Sequence, residues 1–208
     1  MYNLPYFKEK DHAVVLQFMK EHPFALLIGA SQNNPVATQV PFLFEERNSK
    51  ILLKGHIMRS TDHHLALAEN NNALCIFTGA HSYVSARLYK DQQTASTWNY
   101  MSVHARGKIK FLGEEALLNI LQQTTDFFEN DHTSPANYKN LPPEYVERLA
   151  KAIIAFEIEV DSIENVFKLS QNKDKETYQK IKHHLEGGDA DAKKVAEEMA
   201  KRNDQLFK

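Results

Sequence analysis

Apolar positions along this chain follow two repeats, one near 3.6 residues and one of two, and the switches between them mark out the elements. Over residues 11–22, Val14, Val15, Phe18 and Met19 recur at helical spacing, and Pro23 follows as a stop signal. Residues 24–29 form a short apolar run that reads as a strand, and Gln32-Asn33-Asn34-Pro35 reads as a turn. Strand character resumes over 36–44, broken by Pro41, which predicts an edge strand or a bulge. Asn48-Ser49 turns the chain again. Residues 50–56 then alternate, with Ile51, Leu53 and Gly55 on one side and Lys50, Lys54 and His56 on the other. Ser60 or Thr61 caps a short helix running to about Glu69, and three asparagines end it. Residues 73–78 read as a buried strand, with 81–89 its continuation or a loop, and 90–96 as a polar exposed stretch.

The clearest alternation lies over 97–111. Trp98, Tyr100, Ser102, His104 and Arg106 share one face of a strand, and Met101, Val103, Ala105, Ile109 and Phe111 share the other. One face gathers two aromatics and a histidine above an apolar underside, which suits it to stack a flat ring and hydrogen-bond its edge. An amphipathic helix is predicted over 114–129, with Leu117, Leu118, Leu121 and Phe128 on its apolar face. A loop over 131–143, a short helix over 143–151 and a strand over 152–160 follow. Two helices then occupy 174–208, split by Gly187-Gly188, with Val195, Ala196 and Met199 as an apolar stripe. Six or seven strands joined by short turns, with helices inserted and appended, predict an α+β fold. Its core is a mostly antiparallel, closed or nearly closed β-barrel.

Composition narrows the function classes. The chain has 208 residues, with 25 Lys+Arg against 27 Asp+Glu and a net charge of −2, so it lacks the basic stripe of a protein that grips DNA through its phosphates. The single cysteine, Cys75, lies in an apolar run and reads as a small buried hydrophobe rather than a reactive thiol. No run approaches the roughly 20 apolar residues that span a bilayer, and the first residues carry no apolar signal core. A soluble, cytoplasmic protein without a membrane partner is the expectation. The ten histidines show no His-Glu-x-x-His pattern and no Cys/His cluster, so no metal site is expected. There is no Gly-x-Ser-x-Gly elbow, and no residue presents itself as a catalytic base.

Three further segments carry candidate chemistry. In His56-Ile57-Met58-Arg59-Ser60-Thr61 a strand ends and a helix begins. Free amides at a helix start, the Arg59 guanidinium and the hydroxyls of Ser60 and Thr61 suit a phosphate. The plainer alternative is a capped helix with a surface arginine, and Asp62 competes for the same amides. At a period of two, His81, Tyr83, Ser85 and Arg87 point one way and offer donors to a phosphate or to ring carbonyls, or else form an ordinary polar strand face. In Lys168-Leu169-Ser170-Gln171-Asn172, four donor side chains either close over a ligand edge or precede a helix capped by Asn172 or Asp174.

Together these segments resemble the PaiB family of FMN-binding split-barrel proteins, described as negative transcriptional regulators of sporulation and protease genes. The marks are Thr97-Trp98-Asn99-Tyr100 with Val103-His104, and Lys168-Leu169-Ser170-Gln171-Asn172. Ala37-Thr38 with Pro41, Gly55-His56 with Arg59, and His81-x-Tyr83-Val84-Ser85 support them. The resemblance runs from Tyr6 to about Met199. It implies a split-barrel FMN-binding domain over 1–172, like that of pyridoxamine-phosphate oxidases. A C-terminal helical extension over 173–208 would pack on the barrel or on a partner subunit. It implies a homodimer with FMN in a cleft at the subunit interface. Arg59 with Ser60 or Thr61 would hold the phosphate, and His56, His81, Tyr83 and Ser85 would line the cleft. Trp98, Asn99, Tyr100 and His104 would contact the flavin, and Lys168, Ser170, Gln171 and Asn172 would close the ring side. Three activities follow from such a fold: a flavin-sensing regulator, with direct DNA binding implied by the resemblance alone; an FMN-dependent oxidoreductase; or a haem-binding or haem-degrading split barrel, which needs an axial histidine such as His56, His81 or His104.

Overall fold

A computed structural model describes every residue except Asn3, His132 and Lys208. Among the described residues seven strands form one sheet in the order β2-β1-β5-β6-β7-β4-β3. The strands are β1 (Phe24–Ser31), β2 (Asn34–Pro41), β3 (Leu43–Arg47), β4 (Lys50–Met58), β5 (Asn72–Val84), β6 (Thr97–Phe111) and β7 (Ile153–Lys168). The helices are α1 (His12–Glu21), α2 (Asp62–Glu69), α3 (Glu114–Glu129), α4 (Pro143–Ala150), α5 (Lys175–Glu186) and α6 (Ala190–Leu206). The pairs β1/β2, β1/β5, β3/β4 and β4/β7 are antiparallel, as hairpin order predicts.

Local chemistry sets these boundaries. The β3/β4 hairpin closes on Asn48 and Ser49 with φ of 52° and 62°, the left-handed pair that matches the twist of the flanking strands. The β1/β2 hairpin is tighter than the four-residue turn expected. Asn34 and Pro35 already pair with Ser31 and Ala30, which leaves only Gln32 and Asn33 between the strands. β2 is at one end of the strand order, where a proline's missing N–H breaks no ladder, so Pro35 and Pro41 both fit within it.

The chain divides into two compact units, residues 1–19, 78–103 and 164–208 forming the first and 20–77 and 104–163 the second. β5, β6 and β7 each contribute residues to both.

The second unit holds the aromatic core of the sheet. Phe42 packs against Phe77 at 5.6 Å and against Phe156 at 6.0 Å, with Leu27 and Leu53 fully buried. Each such side chain contributes about 1.5–3 kcal/mol by leaving water. The sheet curls here. A Cβ on Gly55 of β4 would come within 3.1 Å of the Pro41 carbonyl oxygen at the end of β2, so two strands far apart in the strand order approach through a glycine. Gly107 serves a close approach between the neighbouring strands β6 and β7, since a Cβ there would run into the Glu159 carbonyl. α3 packs through Leu117 and Ile120 with Ala150 and Ala155. Phe128, expected on that face, is exposed together with Phe127, because a fourth helical turn rotates the stripe off the core.

The first unit is built on a separate core. Phe18 of α1 meets Phe167 of β7 at 5.1 Å, while Tyr178, Ile181, Val195 and Met199 bring α5 and α6 together. Tyr178 donates its hydroxyl proton to the Met199 carbonyl at 2.8 Å, and burial pushes that phenol up to about 12. Asp174 caps α5, accepting from the Thr177 hydroxyl at 2.8 Å and from the Thr177 amide at 3.1 Å, and these two bonds, in that order and ahead of Lys90, hold its carboxyl down at about 2. β7 extends eight residues past the predicted strand end at 160. Its stretch Asp161-Ser162-Ile163-Glu164 lacks an apolar alternation, yet the strand runs through it.

Candidate functional site

The alternation over β6 is realised. Met101, Val103, Ala105 and Ile109 are buried, and Trp98 and Arg106 are exposed. In the first unit Trp98 meets two side chains of the neighbouring strand β5, His81 at 5.8 Å with planes tilted 40° and Tyr83 at 5.9 Å edge-on. Trp98 is 51% exposed and Tyr83 52%, so two large aromatics present open ring surface to solvent. Beside them lies a recess of about 360 Å³ lined by Thr78, Gly79, His81, Trp98, Tyr100, Met101 and Ser102. That volume is in the range of small-molecule pockets. Thr78, Tyr100, Ser102 and His81 are the polar residues among its lining, and the wall itself is mostly apolar. His81 Nδ1 lies 3.5 Å from the Asp191 carboxylate on α6.

Lys168 ties the end of β7 to the start of β6. Its ammonium donates to the Trp98 carbonyl at 2.9 Å and to the Thr97 hydroxyl, and burial, then the nearby Lys173, lowers its pKa. The three residues beyond Leu169 turn inward or away. Ser170, with φ of 62°, donates its hydroxyl to Asn99 Oδ1 at 3.0 Å, and Asn99 Nδ2 points to the Met199 sulfur at 3.7 Å. Asn99 is fully buried on the face opposite Trp98. Gln171 accepts from the Leu169 amide at 2.7 Å and donates to the Phe167 carbonyl, while Asn172 is exposed. Ser85 accepts from the Arg87 amide and starts a 3-10 turn. Of the expected residues in this unit, the structure therefore gathers His81, Tyr83, Trp98, Tyr100 and Lys168. It uses Ser85 and Gln171 to hold nearby backbone, and pairs the side chains of Asn99 and Ser170 with each other.

The remaining expected residues belong to the second unit. Arg59 is exposed, and its amide donates to the Ala152 carbonyl at 2.9 Å. Three amides around the start of α2 are taken by the segment's own side chains. Thr61 Oγ1 accepts from His64 N at 3.4 Å, Asp62 Oδ1 from His63 N at 2.8 Å, and His64 Nδ1 from Ser60 N at 3.0 Å. Ser60 adopts φ of 60°, which lets the chain turn from β4 into the helix. The His63 amide, followed by its ring, lowers the Asp62 carboxyl below its ordinary value. His64 is lowered by burial and then by the charges of Arg59 and His63. His56 is lowered by burial, and its Nδ1 is buried with no hydrogen-bond partner among the described residues. His104 is half-buried.

Four lining residues escaped the sequence expectations. Thr78 sits where the predicted strand stopped and Gly79 follows it, Met101 was expected on the core face, and Ser102 lay on the Trp98 face but carried no motif. Among the described residues no cluster of three or more His, Cys, Asp or Glu side chains forms a metal site, and no helix is long and apolar enough to cross a membrane. Burial pushes the Cys75 thiol up, as expected for an inert core residue.

Antiparallel strands curled around an aromatic core, with helices inserted and appended, define the class as an α+β split barrel. Two solved structures share the fold. One is the FAD and haem binding protein of Mycobacterium smegmatis, with a TM-score of 0.56 and 19% identity over 78% of this chain and 73% of that one. The other is the flavocytochrome Anf3 of Azotobacter vinelandii, with a TM-score of 0.57 and 16% identity over 80% and 72%. Residues 1–162 match the family model described as "Putative FMN-binding domain", and the chain belongs to that family. It is also 28% identical over 200 residues to the protease synthase and sporulation protein PAI 2 of Bacillus subtilis, covering 96% of each chain.

Proposed function

We propose that the protein binds FMN with the isoalloxazine ring in the recess of the first unit, and acts as a flavin-binding regulator of the PAI 2 kind. The observation that carries the ring assignment is the half-exposed Trp98, flanked by His81 and Tyr83, above a recess whose polar groups are hydroxyls and an imidazole. Exposed ring surface of this size has no role in the core, and a flat heteroaromatic ring covers it. FMN, when bound, supplies electron-transfer chemistry at its ring. The chain's own part is to stack the ring on Trp98, meet its edge with the Thr78, Tyr100 and Ser102 hydroxyls and His81, and keep Trp98 in place through Lys168. Apart from this recess, the exposed Arg59 of the second unit is a candidate to bind a phosphate in its own right. We take the protein to be a cytoplasmic homodimer. The near-neutral charge favours regulation by a route other than a direct grip on DNA.

The absorbance spectrum and extracted cofactor of untagged protein test this reading. Flavin bands and recovered FMN are expected, and a Soret band without flavin bands would overturn it. Light scattering should return a dimer. A sequence-specific gel shift at low salt would restore direct DNA binding. Flavin reduction on anaerobic mixing with NADPH would move the reading to an oxidoreductase.

A further inference from the structure

We infer that the segment before α1 forms part of the flavin site, and that Tyr2 is a binding residue that covers the ring seated against Trp98 and Tyr100. The inference rests on the proposed flavin recess and names a wall for it that neither the fold nor the family match assigns. The segment is pinned by Phe7, which is 3% exposed and meets Tyr6 at 4.4 Å and Tyr2 at 6.4 Å, both edge-on. Further along, the Glu9 amide donates to Asn165 Oδ1 at 2.8 Å, and Asn165 Nδ2 returns a bond to the Glu9 carbonyl at 3.0 Å. The anchor is therefore fixed on β7.

The Lys168 ammonium lies 5.8 Å from the Tyr2 ring centroid and 5.9 Å from that of Phe7. The same ammonium holds the Trp98 carbonyl at 2.9 Å. One cation thus links the aromatic segment to the backbone that carries the stacking residue, a cation–π arrangement on one side and a hydrogen bond on the other. Burial, and after it the Tyr2 phenol, raises the pKa of Tyr100, which lines the recess. Yet Tyr2 remains 52% exposed. An aromatic side chain oriented by a lysine, beside the recess and half uncovered, is set to contact a ring bound there.

The test compares the parent protein with Tyr2→Ala and Tyr2→Phe, using FMN and riboflavin as probes and a C-terminal tag. Tyr2→Ala should release either flavin about three- to tenfold faster, the scale of one aromatic contact. It should also raise iodide quenching of the bound flavin's fluorescence. Tyr2→Phe should restore both readouts. Near-UV circular dichroism checks that the variants fold. Unchanged release and quenching in Tyr2→Ala would overturn the inference while leaving flavin binding intact. A parent protein that binds neither flavin would overturn the proposed function, and this inference with it.

Discussion

The Trp98 face and the Arg59–His64 junction are both rich in aromatic and polar side chains, but they dispose of their binding capacity in opposite ways. At the Trp98 face the aromatics are half exposed, and the hydroxyls of Thr78, Tyr100 and Ser102 line an open recess. At the junction the amides of Ser60, His63 and His64 are already satisfied by His64, Asp62 and Thr61. A helix start attracts an anion through unpaired amides and the positive end of its dipole. Here a carboxylate of the same segment occupies that position. Residue types alone would rate the two regions as equal candidates, whereas hydrogen-bond accounting separates an open surface from one whose donors are largely taken up by its own side chains.

Four experiments break or sharpen this contrast. The largest effect is expected from Trp98→Ala, which removes the stacking surface and should weaken FMN and riboflavin alike by about ten- to a hundredfold, the scale of a large aromatic contact. Isothermal titration measures it, and equal affinities before and after would move the ring away from Trp98. Next is Asn99→Ala, which orphans the Ser170 hydroxyl in a buried site and should cost about 1–3 kcal/mol by urea denaturation. Because Asn99 faces away from Trp98, flavin affinity per folded molecule should hardly change, and a large loss would make Asn99 a contact.

A smaller effect is expected at the junction. Asp62→Ala removes a charge and frees the His63 amide, so affinity for inorganic phosphate should rise about two- to fivefold. An unchanged phosphate affinity would take the junction out of phosphate binding altogether. The smallest effect concerns pH. Burial places the folded pKa of His56 below its ordinary value of about 6.5, so the unfolded chain takes the proton more readily. This contribution to stability is complete above pH ~6.5 and is lost as the pH falls through the lowered folded value, with His64 following the same sign. Thermal melts should show Tm falling about 2–4 °C between pH 7.5 and 5.5. His56→Val should flatten that slope, and an unaltered slope would assign the pH response to other groups.

Much of the architecture was legible because the local rules agreed with one another. Pro23 ended α1, Thr61 capped α2, Gly187 ended α5, and strict alternation drew both faces of β6. The misses have physical causes. Phe128 continued an apolar stripe by composition, but the stripe rotates with each turn and Ile120 took the buried position instead. The polar centre of β7 carried no strand pattern. At the site, alternation placed Trp98 and Tyr100 on one face and Asn99 on the other, and the structure keeps that division. It could not tell that Ser170 and Gln171 would bond to their own neighbourhood, because a donor side chain looks the same in sequence whether it faces a ligand or a carbonyl. Tyr2 was silent for a related reason, since its neighbours Lys168 and Tyr100 are distant in the chain.

The chain crosses the border between its two compact units at residues 19/20, 77/78, 103/104 and 163/164. The second unit therefore has all its residues once position 163 has been synthesised, while the first must wait for 164–208, which supply Lys168 and both C-terminal helices. Chains emerge at about 5–20 residues per second. For several seconds of synthesis, the strand bearing Trp98 thus exists without the lysine that fastens its carbonyl, and a ribosome stalled in that interval would hold the second unit's core beside an unfinished Trp98 face.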